Sequence, residues 1–324
     1  MGMGLTKAKQ AQRSVVVPGN HDGVHRGHQA LLARAQGLAA EASQAAGAEP
    51  LPVVALFFQP HPLAVLRPEQ APLALTTVAR RQQLLRHWGA SDAVARRFTP
   101  AFAKLSAEAF FQDILRKELG ACGVVVGADF RFGAERRGDV ALLQRLCEHN
   151  GVELAIAPQV QLAGGVVSST RVRQALGEGD LALATALLGR YPELSGKVVP
   201  GDQRGRTLGF PTANLDLGAV VWPAFGVYAA WAASPAFGGK LQPAVVNIGA
   251  RPTFAAGRAC EAHVLGGSFQ LYDQMLTLYL CSRLRGEVRF ASAGELCAQI
   301  DRDCAQAAAA LVAADTGLVV PTAD

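Results

Sequence analysis

Along the first 190 residues, short apolar runs alternate with stretches whose apolar residues recur at helical spacing. The apolar runs are Val15–Val17, Val53–Phe58, Val124–Val126 and Leu154–Ile156, and Gln29–Leu38 places Leu31, Leu32, Ala35 and Leu38 at helical intervals. Further helices are expected over Arg80–Trp88, Ala107–Leu119 and Val140–Asn150. This alternation predicts an α/β domain, Rossmann-like, in which helices cover both faces of a parallel sheet and ligands gather at the carboxyl ends of the strands. Past Tyr191-Pro192 the pattern changes. Gly196–Val199, Gly226–Trp231, Ala244–Ile248, Glu261–Leu265 and Met275–Cys281 are short β-rich runs broken by Gly and Pro, which predicts an antiparallel barrel or sandwich. A last helical stretch, Ala293–Val312, turns Leu296, Ile300 and Ala307 toward a core. Two domains are therefore expected, residues 1–188 and 189–324.

Composition narrows the class. Half of the 324 residues are hydrophobic and the formal net charge is +5, which suits an anionic small molecule as well as a nucleic acid. Lys and Arg are dispersed, so no polybasic tail is indicated. The six cysteines (Cys122, Cys147, Cys260, Cys281, Cys297 and Cys304) contain no CxxC pair, so neither a zinc site nor a disulfide framework is expected. No signal peptide and no membrane-spanning run is expected either, and the cytoplasm is the simplest compartment.

The candidate chemistry begins in "VVVPGNHDGVHRGHQALL", residues 15–32, where a strand hands over to a helix through a knot of Gly, Asn, Asp and His. A helix N-terminus presents unpaired N–H groups and a positive dipole end, so a polyphosphate is the expected guest. His25 and His28 can donate to oxygens as a phosphorus centre gathers charge, and Gly27 between them lets the backbone come close. A surface turn with two incidental histidines is the plainer alternative. In "VVSSTRVRQALGEGD", residues 166–180, Ser169 is a good N-cap, and Thr170, Arg171 and Arg173 fall in the first turn, where hydroxyls, amides and a guanidinium can face phosphates.

In the second half, "GDQRGRTLGFPTANL", residues 201–215, offers a Gly201–Gly209 loop whose amides can wrap phosphates. Pro211 then fixes the backbone so that Thr212 and Asn214, alternate residues on one strand face, can offer oxygens to one magnesium ion.

With these motifs, and with "FFQPHP", "VVGADFRFGAERRGD", "FGVYAA", "VVNIGARPTF" and "LRGEVRF" in the same order, the chain resembles the bacterial bifunctional riboflavin kinase/FAD synthetases from residue 15 to about 307. The resemblance implies an N-terminal FMN adenylyltransferase followed by a riboflavin kinase, with riboflavin, FMN and ATP as substrates and Mg2+ as cofactor. It makes His25, His28, Glu261 and Arg173 the candidate catalytic residues, with Glu261 taking the proton from the ribityl hydroxyl. Candidate ATP and phosphate ligands are Gly19, Asn20, Asp22, Gly27, Ser168, Ser169, Thr170, Gly201, Gly205 and Gly209. Pro60, Asp129 and Phe130 are the candidate flavin contacts, and Thr212 and Asn214 the metal ligands.

The chain departs from the family at His21, where Phe is usual, at "RYP" (190–192) and in "GGSFQLYD" (266–273). The partners expected are small molecules, with no nucleic acid and no membrane. Two rival readings stand beside this one: an enzyme retaining only one activity, and a non-catalytic binder of flavin or RNA.

Overall fold

The computed structural model describes residues 12–44, 49–201, 205, 208–250, 257–267 and 269–319. Parts of the Gly201–Gly209 loop, residues 202–204 and 206–207, and residues 251–254 of the "VVNIGARPTF" motif lie outside the described residues. The chain forms two compact units. Residues up to Val167, apart from Leu73–Leu75, make the first, and Leu73–Leu75 with everything from Ser168 onward make the second.

The first unit is built on five parallel strands, β1 (Ser14–Pro18), β2 (Val53–Gln59), β3 (Asp92–Arg97), β4 (Ala121–Gly127) and β5 (Glu153–Ala157), in the order β3-β2-β1-β4-β5. Every residue of β1 is buried, which is why its sequence is an unbroken apolar run flanked on both sides, with Val16 facing Val54 of β2 and Val124 of β4. From β1 the chain moves outward to β2 and β3, then returns to lay β4 on the other side of β1. The strand order therefore reverses between β1 and β4, and the crevice at their carboxyl ends is where such sheets bind ligands.

Helices α1 (Arg26–Gln44), α2 (Pro62–Leu66), α3 (Val78–His87), α4 (Ala107–Ala109) and α5 (Val140–Asn150) complete the unit. Leu32, Ala35, Leu38 and Ala39 of α1 bury the face that its sequence spacing marks out. The helix expected over Ala107–Leu119 is regular only in α4. Phe110–Glu118 then closes as a π-helix, with Leu119 N–H donating to the Ile114 carbonyl, and it buries Phe110, Phe111, Ile114 and Leu115 against the sheet. Strand β3, "DAVARR", was not among the expected apolar runs. Its three charged residues mark an edge strand that pairs only with β2.

A two-stranded hairpin, β6 (Gln161–Leu162) with β7 (Gly165–Val166), ends this unit. The second opens with α6 (Ser169–Glu178) and α7 (Leu181–Leu188), followed by β8 (Glu193–Val199), β9 (Ala213–Asp216), β10 (Gly226–Ala233), β11 (Gln242–Ala250), β12 (Arg258–Val264) and β13 (Met275–Arg285). The six strands close into an antiparallel barrel in the order β10-β11-β12-β9-β8-β13. The α6 and α7 pair packs with the barrel's unit, and the Ala224 N–H donates to the Leu176 carbonyl at 2.8 Å.

Register separates the two faces of the barrel wall. Tyr228, Val246, Ala262 and Ala213 lie opposite one another across four strands and are all buried. One residue away, Val227, Asn247, Glu261 and Asn214 form the corresponding row on the outer face. The last helix, α8 (Ala293–Val312), has the expected bounds and covers part of that outer face, packing Ala307 and Leu311 on Val227, Ala229 and Val245. It is anchored by Asp303, a buried carboxylate that accepts from Arg285 Nη2 at 2.6 Å and from Arg285 Nε at 3.0 Å.

Candidate active sites

In the first unit the turn from β1 to α1 carries three histidine rings in one cluster. His25 and His28 stack with centroids 3.7 Å apart and an interplanar angle of 19°, and His21 meets His28 edge-on at 5.1 Å. The stack is possible because Gly27 has no side chain: a Cβ there would stand 3.1 Å from the His25 ring and 3.6 Å from the Val167 carbonyl oxygen. Gly19 is constrained in the same way, since a Cβ would come 2.7 Å from His21 Cε1. The His25 carbonyl accepts from the His28 and Gln29 N–H groups and starts the helix, so both catalytic candidates flank its first turn.

The turn is strained. His21, Gly23 and Val24 all have positive φ, at 49°, 80° and 40°. For two non-glycine residues, one of them β-branched, such backbone costs about 1–3 kcal/mol each and persists only where surroundings over-determine it. His21 is fully buried, with Nε2 at 3.0 Å from the Val17 carbonyl, so Nε2 carries the proton and donates. Its Nδ1 and the neighbouring Asn20 Oδ1 are buried without a hydrogen-bond partner. Burial pushes the His21 pKa down to about 4, against a smaller upward pull from the Val17 hydrogen bond and with a downward push from Arg81. Burial thus favours the neutral imidazole of His21.

Asp22 is also buried, and its carboxylate accepts from Arg81 Nη2 of α3 at 2.6 Å and from Thr76 Oγ1 at 3.4 Å. The sequence contained no signal for this partner, which lies 59 residues away.

The carboxyl ends of β2 and β4 adjoin that of β1. Pro60 follows β2 and is exposed, and His61 caps α2 by accepting from the Leu63 N–H at 3.1 Å. After β4, Asp129 is exposed and Phe130 half-buried. Phe130 stacks on Phe132 at 5.5 Å, and the aromatic contacts continue through Phe110 to Phe58 near the end of β2 and Phe98 just past β3. Phe98, beyond an unforeseen strand, could have been found only through the position of β3.

Ser168, not Ser169, is the N-cap of α6. Its hydroxyl accepts from the Arg171 N–H at 3.3 Å, and Ser169 and Thr170 are the first helical residues. The sequence offers two serines in succession, and the first is the one whose backbone is extended, at φ −148° and ψ 158°. Arg173, a turn later, donates from Nε to the Leu73 carbonyl at 2.9 Å.

In the barrel, Thr212 and Asn214 line a cavity of about 220 Å³ together with Gly201, Pro211, Phe269 and Tyr272. A Cβ at Gly201 would meet Asn214 Nδ2 at 2.2 Å, so a side chain there would have to displace the Asn214 amide. At Gly205 a Cβ would meet the Phe210 carbonyl oxygen at 2.3 Å and Thr212 Oγ1 at 3.2 Å. Gly209 adopts φ 90°, a conformation side chains resist. Gly201 and Gly205 thus leave room for the close approach of Asn214 and Thr212.

Asn214 is 8% exposed, and its direct cross-strand neighbour is Glu261, which stands half-buried on the same face without being part of the cavity wall. Two residues on, His263 Nδ1 donates to the Pro211 carbonyl at 2.8 Å and its ring meets Phe210 edge-on at 5.8 Å, tying β12 to the start of β9. His263 was not singled out from the sequence, where it is one more residue of an alternating strand.

Comparison with known proteins gives a consistent result. Residues 7–171 match the family described as FAD synthetase and residues 188–311 the family described as riboflavin kinase. The chain is 44% identical over 301 residues to the bifunctional riboflavin kinase/FMN adenylyltransferase of Escherichia coli (strain K12), covering 92% of this chain and 93% of that protein. The protein of the same description from Pseudomonas fluorescens is 40% identical over 309 residues, covering 94% and 96%. A crystal structure from Streptococcus pneumoniae, described as a macrolide-efflux protein, superposes with a TM-score of 0.79 at 30% identity, covering 92% of this chain and 94% of that one. Efflux is said of that protein; among the described residues here, no helix is long and apolar enough to cross a membrane.

Proposed function

The chain belongs to the family of bifunctional riboflavin kinase/FMN adenylyltransferases, and from that premise we propose how its residues divide the two reactions. It phosphorylates riboflavin with ATP to FMN and adenylates FMN with ATP to FAD and pyrophosphate. The observation that carries the assignment of the first reaction site is the His25–His28 stack at the carboxyl end of β1, beside the strand-order reversal. There the two imidazoles donate to the α-phosphate oxygens as FMN attacks and pyrophosphate departs, placing donors where charge develops. Gly19, Asn20 and Gly27 let the nucleotide approach the backbone, and the helix start bearing Ser168, Ser169, Thr170 and Arg173 is the second phosphate-binding motif of the same reaction. Phe130, with Asp129 and Pro60, borders the flavin.

In the barrel, Glu261 accepts the proton of the ribityl hydroxyl as it attacks the γ-phosphate, and the amides of Gly201, Gly205 and Gly209 cradle the phosphates. The donor set fits magnesium: a hydroxyl and a carboxamide oxygen on a cavity wall are hard oxygen ligands suited to an ion that keeps its other positions for phosphate and water. Thr212 and Asn214 would hold it, and when bound it supplies neutralisation of the phosphate charge. The protein works on these small molecules in the cytoplasm, where ATP is available, with residues 1–188 sufficient for adenylation.

Incubating the purified protein with riboflavin, ATP and magnesium and separating the flavins by chromatography tests the whole reading. FMN followed by FAD is expected. Neither product would refute it, FMN alone would leave only the kinase, and residues 1–188 tested alone on FMN check the division.

A further inference from the structure

Asp22 was grouped with the nucleotide ligands, yet its surroundings tell against contact with a phosphate chain: it is an anion, buried, and already engaged by a cation. One guanidinium holds the residues on either side of His21. Arg81 donates from Nη2 to the Asp22 carboxylate at 2.6 Å and from Nη1 to the Asn20 carbonyl at 3.0 Å. Its Nε donates to Thr76 Oγ1 at 3.4 Å, and its Cζ lies 5.2 Å from the centre of the Phe57 ring. Both members of the ion pair are buried, on two different elements.

The strained stretch begins between those two grips, where His21 has positive φ, and continues past Asp22 through Gly23 and Val24. Gly23 takes positive φ freely, but His21 and the β-branched Val24 do not, so contacts from outside the turn must help to impose the path, and the planar fork of Arg81 grips it on both sides of His21. We infer that Arg81 is a positioning residue for adenylyl transfer, fixing the strained turn through Asp22 and the Asn20 carbonyl so that His25 and His28 stack, and that Asp22 acts through this pair rather than on the nucleotide.

The inference rests on the assignment of adenylyl transfer to this unit, and its test separates the two. Arg81→Met leaves the Asp22 carboxylate buried without its counter-charge, so the rate of FAD formation from supplied FMN should fall at least tenfold, chiefly in kcat, while FMN formation from riboflavin continues at the parent rate. Arg81→Lys keeps the charge and loses the fork, and should fall in between. The deciding variant is the double, Asp22→Asn with Arg81→Met: removing both charges ends the burial of a lone ion, so it should be more active than Arg81→Met alone.

Should Arg81→Met not fold, the seven histidines make the imidazole proton resonances countable in Arg81→Lys. Those of His25 and His28 should shift while the melting temperature stays near the parent's, a change that mere loss of stability does not produce. Arg81→Met within twofold of the parent overturns the inference. So does a double variant no better than Arg81→Met, which would make Asp22 a direct ligand, and so do unshifted histidine resonances in Arg81→Lys. A parent protein that makes no FAD defeats the functional assignment instead, and leaves the resonance test standing.

Discussion

The two units meet the same problem, holding a triphosphate, by opposite means. The histidine turn relies on buried tertiary contacts: a fully buried His21 imidazole, a buried Asp22–Arg81 pair and strained backbone accompany the stacking of two other rings. The barrel site uses almost no buried charge. There a regular strand register sets Asn214 beside Glu261, and glycines let a loop close on the oxygen donors. Pre-organisation in the first unit comes from over-determined tertiary contacts, and in the second from the repeat of the sheet itself. A site of the first kind is expected to fail when a distant partner is altered. A site of the second kind is expected to be sensitive to the reacting groups themselves and tolerant elsewhere.

The largest effect that tests this contrast is at Glu261. General-base assistance is worth about 10²–10⁴-fold, so Glu261→Gln should slow riboflavin phosphorylation by that factor with ATP binding retained, as read by rapid-quench kinetics and equilibrium titration. The barrel register, being backbone-paired, should survive the change, and the circular dichroism should match the parent's. Near-normal turnover of riboflavin would move the base elsewhere and dissolve this half of the comparison.

Next comes His28. Removing one preorganised donor to a developing oxyanion costs about 10²–10³ in rate, so His28→Ala, given riboflavin and ATP, should accumulate FMN and make little FAD. Equal production of FAD would reduce the turn to a structural feature.

The smallest effect concerns stability. In the unfolded chain His21 has the ordinary value of 6.5, whereas in the folded protein burial holds it at about 4. Between these values the unfolded state binds more protons, so the contribution is fully present above pH 6.5 and is lost as pH falls toward 4. The full span corresponds to about 3 kcal/mol. His21→Phe should therefore flatten the decline in the calorimetric transition of the first unit between pH 7 and pH 5. An unchanged slope would mean that other groups set it.

The sequence carried the plan of both units wherever one period dominated. Val15–Val17 lies inside β1, and Ala293–Val312 is bounded as expected, because a buried strand and an amphipathic helix each write their environment into every residue. The plan faded where tertiary contact overrides local pattern. Strand β3 is half charged, since an edge needs no apolar run, and the strand expected to carry both Thr212 and Asn214 starts only at Ala213, leaving Thr212 just ahead of β9.

The π-helical turn at Phe110 shares its apolar spacing with an α-helix and differs only in which carbonyl each N–H reaches. At the sites, the residue types His25, His28, Thr212, Asn214 and Glu261 were legible as chemistry. Arg81 and His263 were not, because an Arg on a polar helix face and a His on an alternating strand look like solvated surface until a partner appears.

The strand edges described above have a bearing on how the molecule behaves in crowded solution. A closed barrel has no open edge, so the six described strands of the second unit leave no unpaired row of backbone donors and acceptors. One edge of the first unit's sheet is β3, whose Asp92, Arg96 and Arg97 place charged side chains along it, with Asp92 held by Arg86 at 3.0 Å and Arg96 engaged by Glu118. A second copy brought alongside would have to strip water from those charges before a single interstrand bond formed. The polar residues that hid β3 from the apolar pattern are thus the ones that keep its edge from recruiting neighbours into an aggregate.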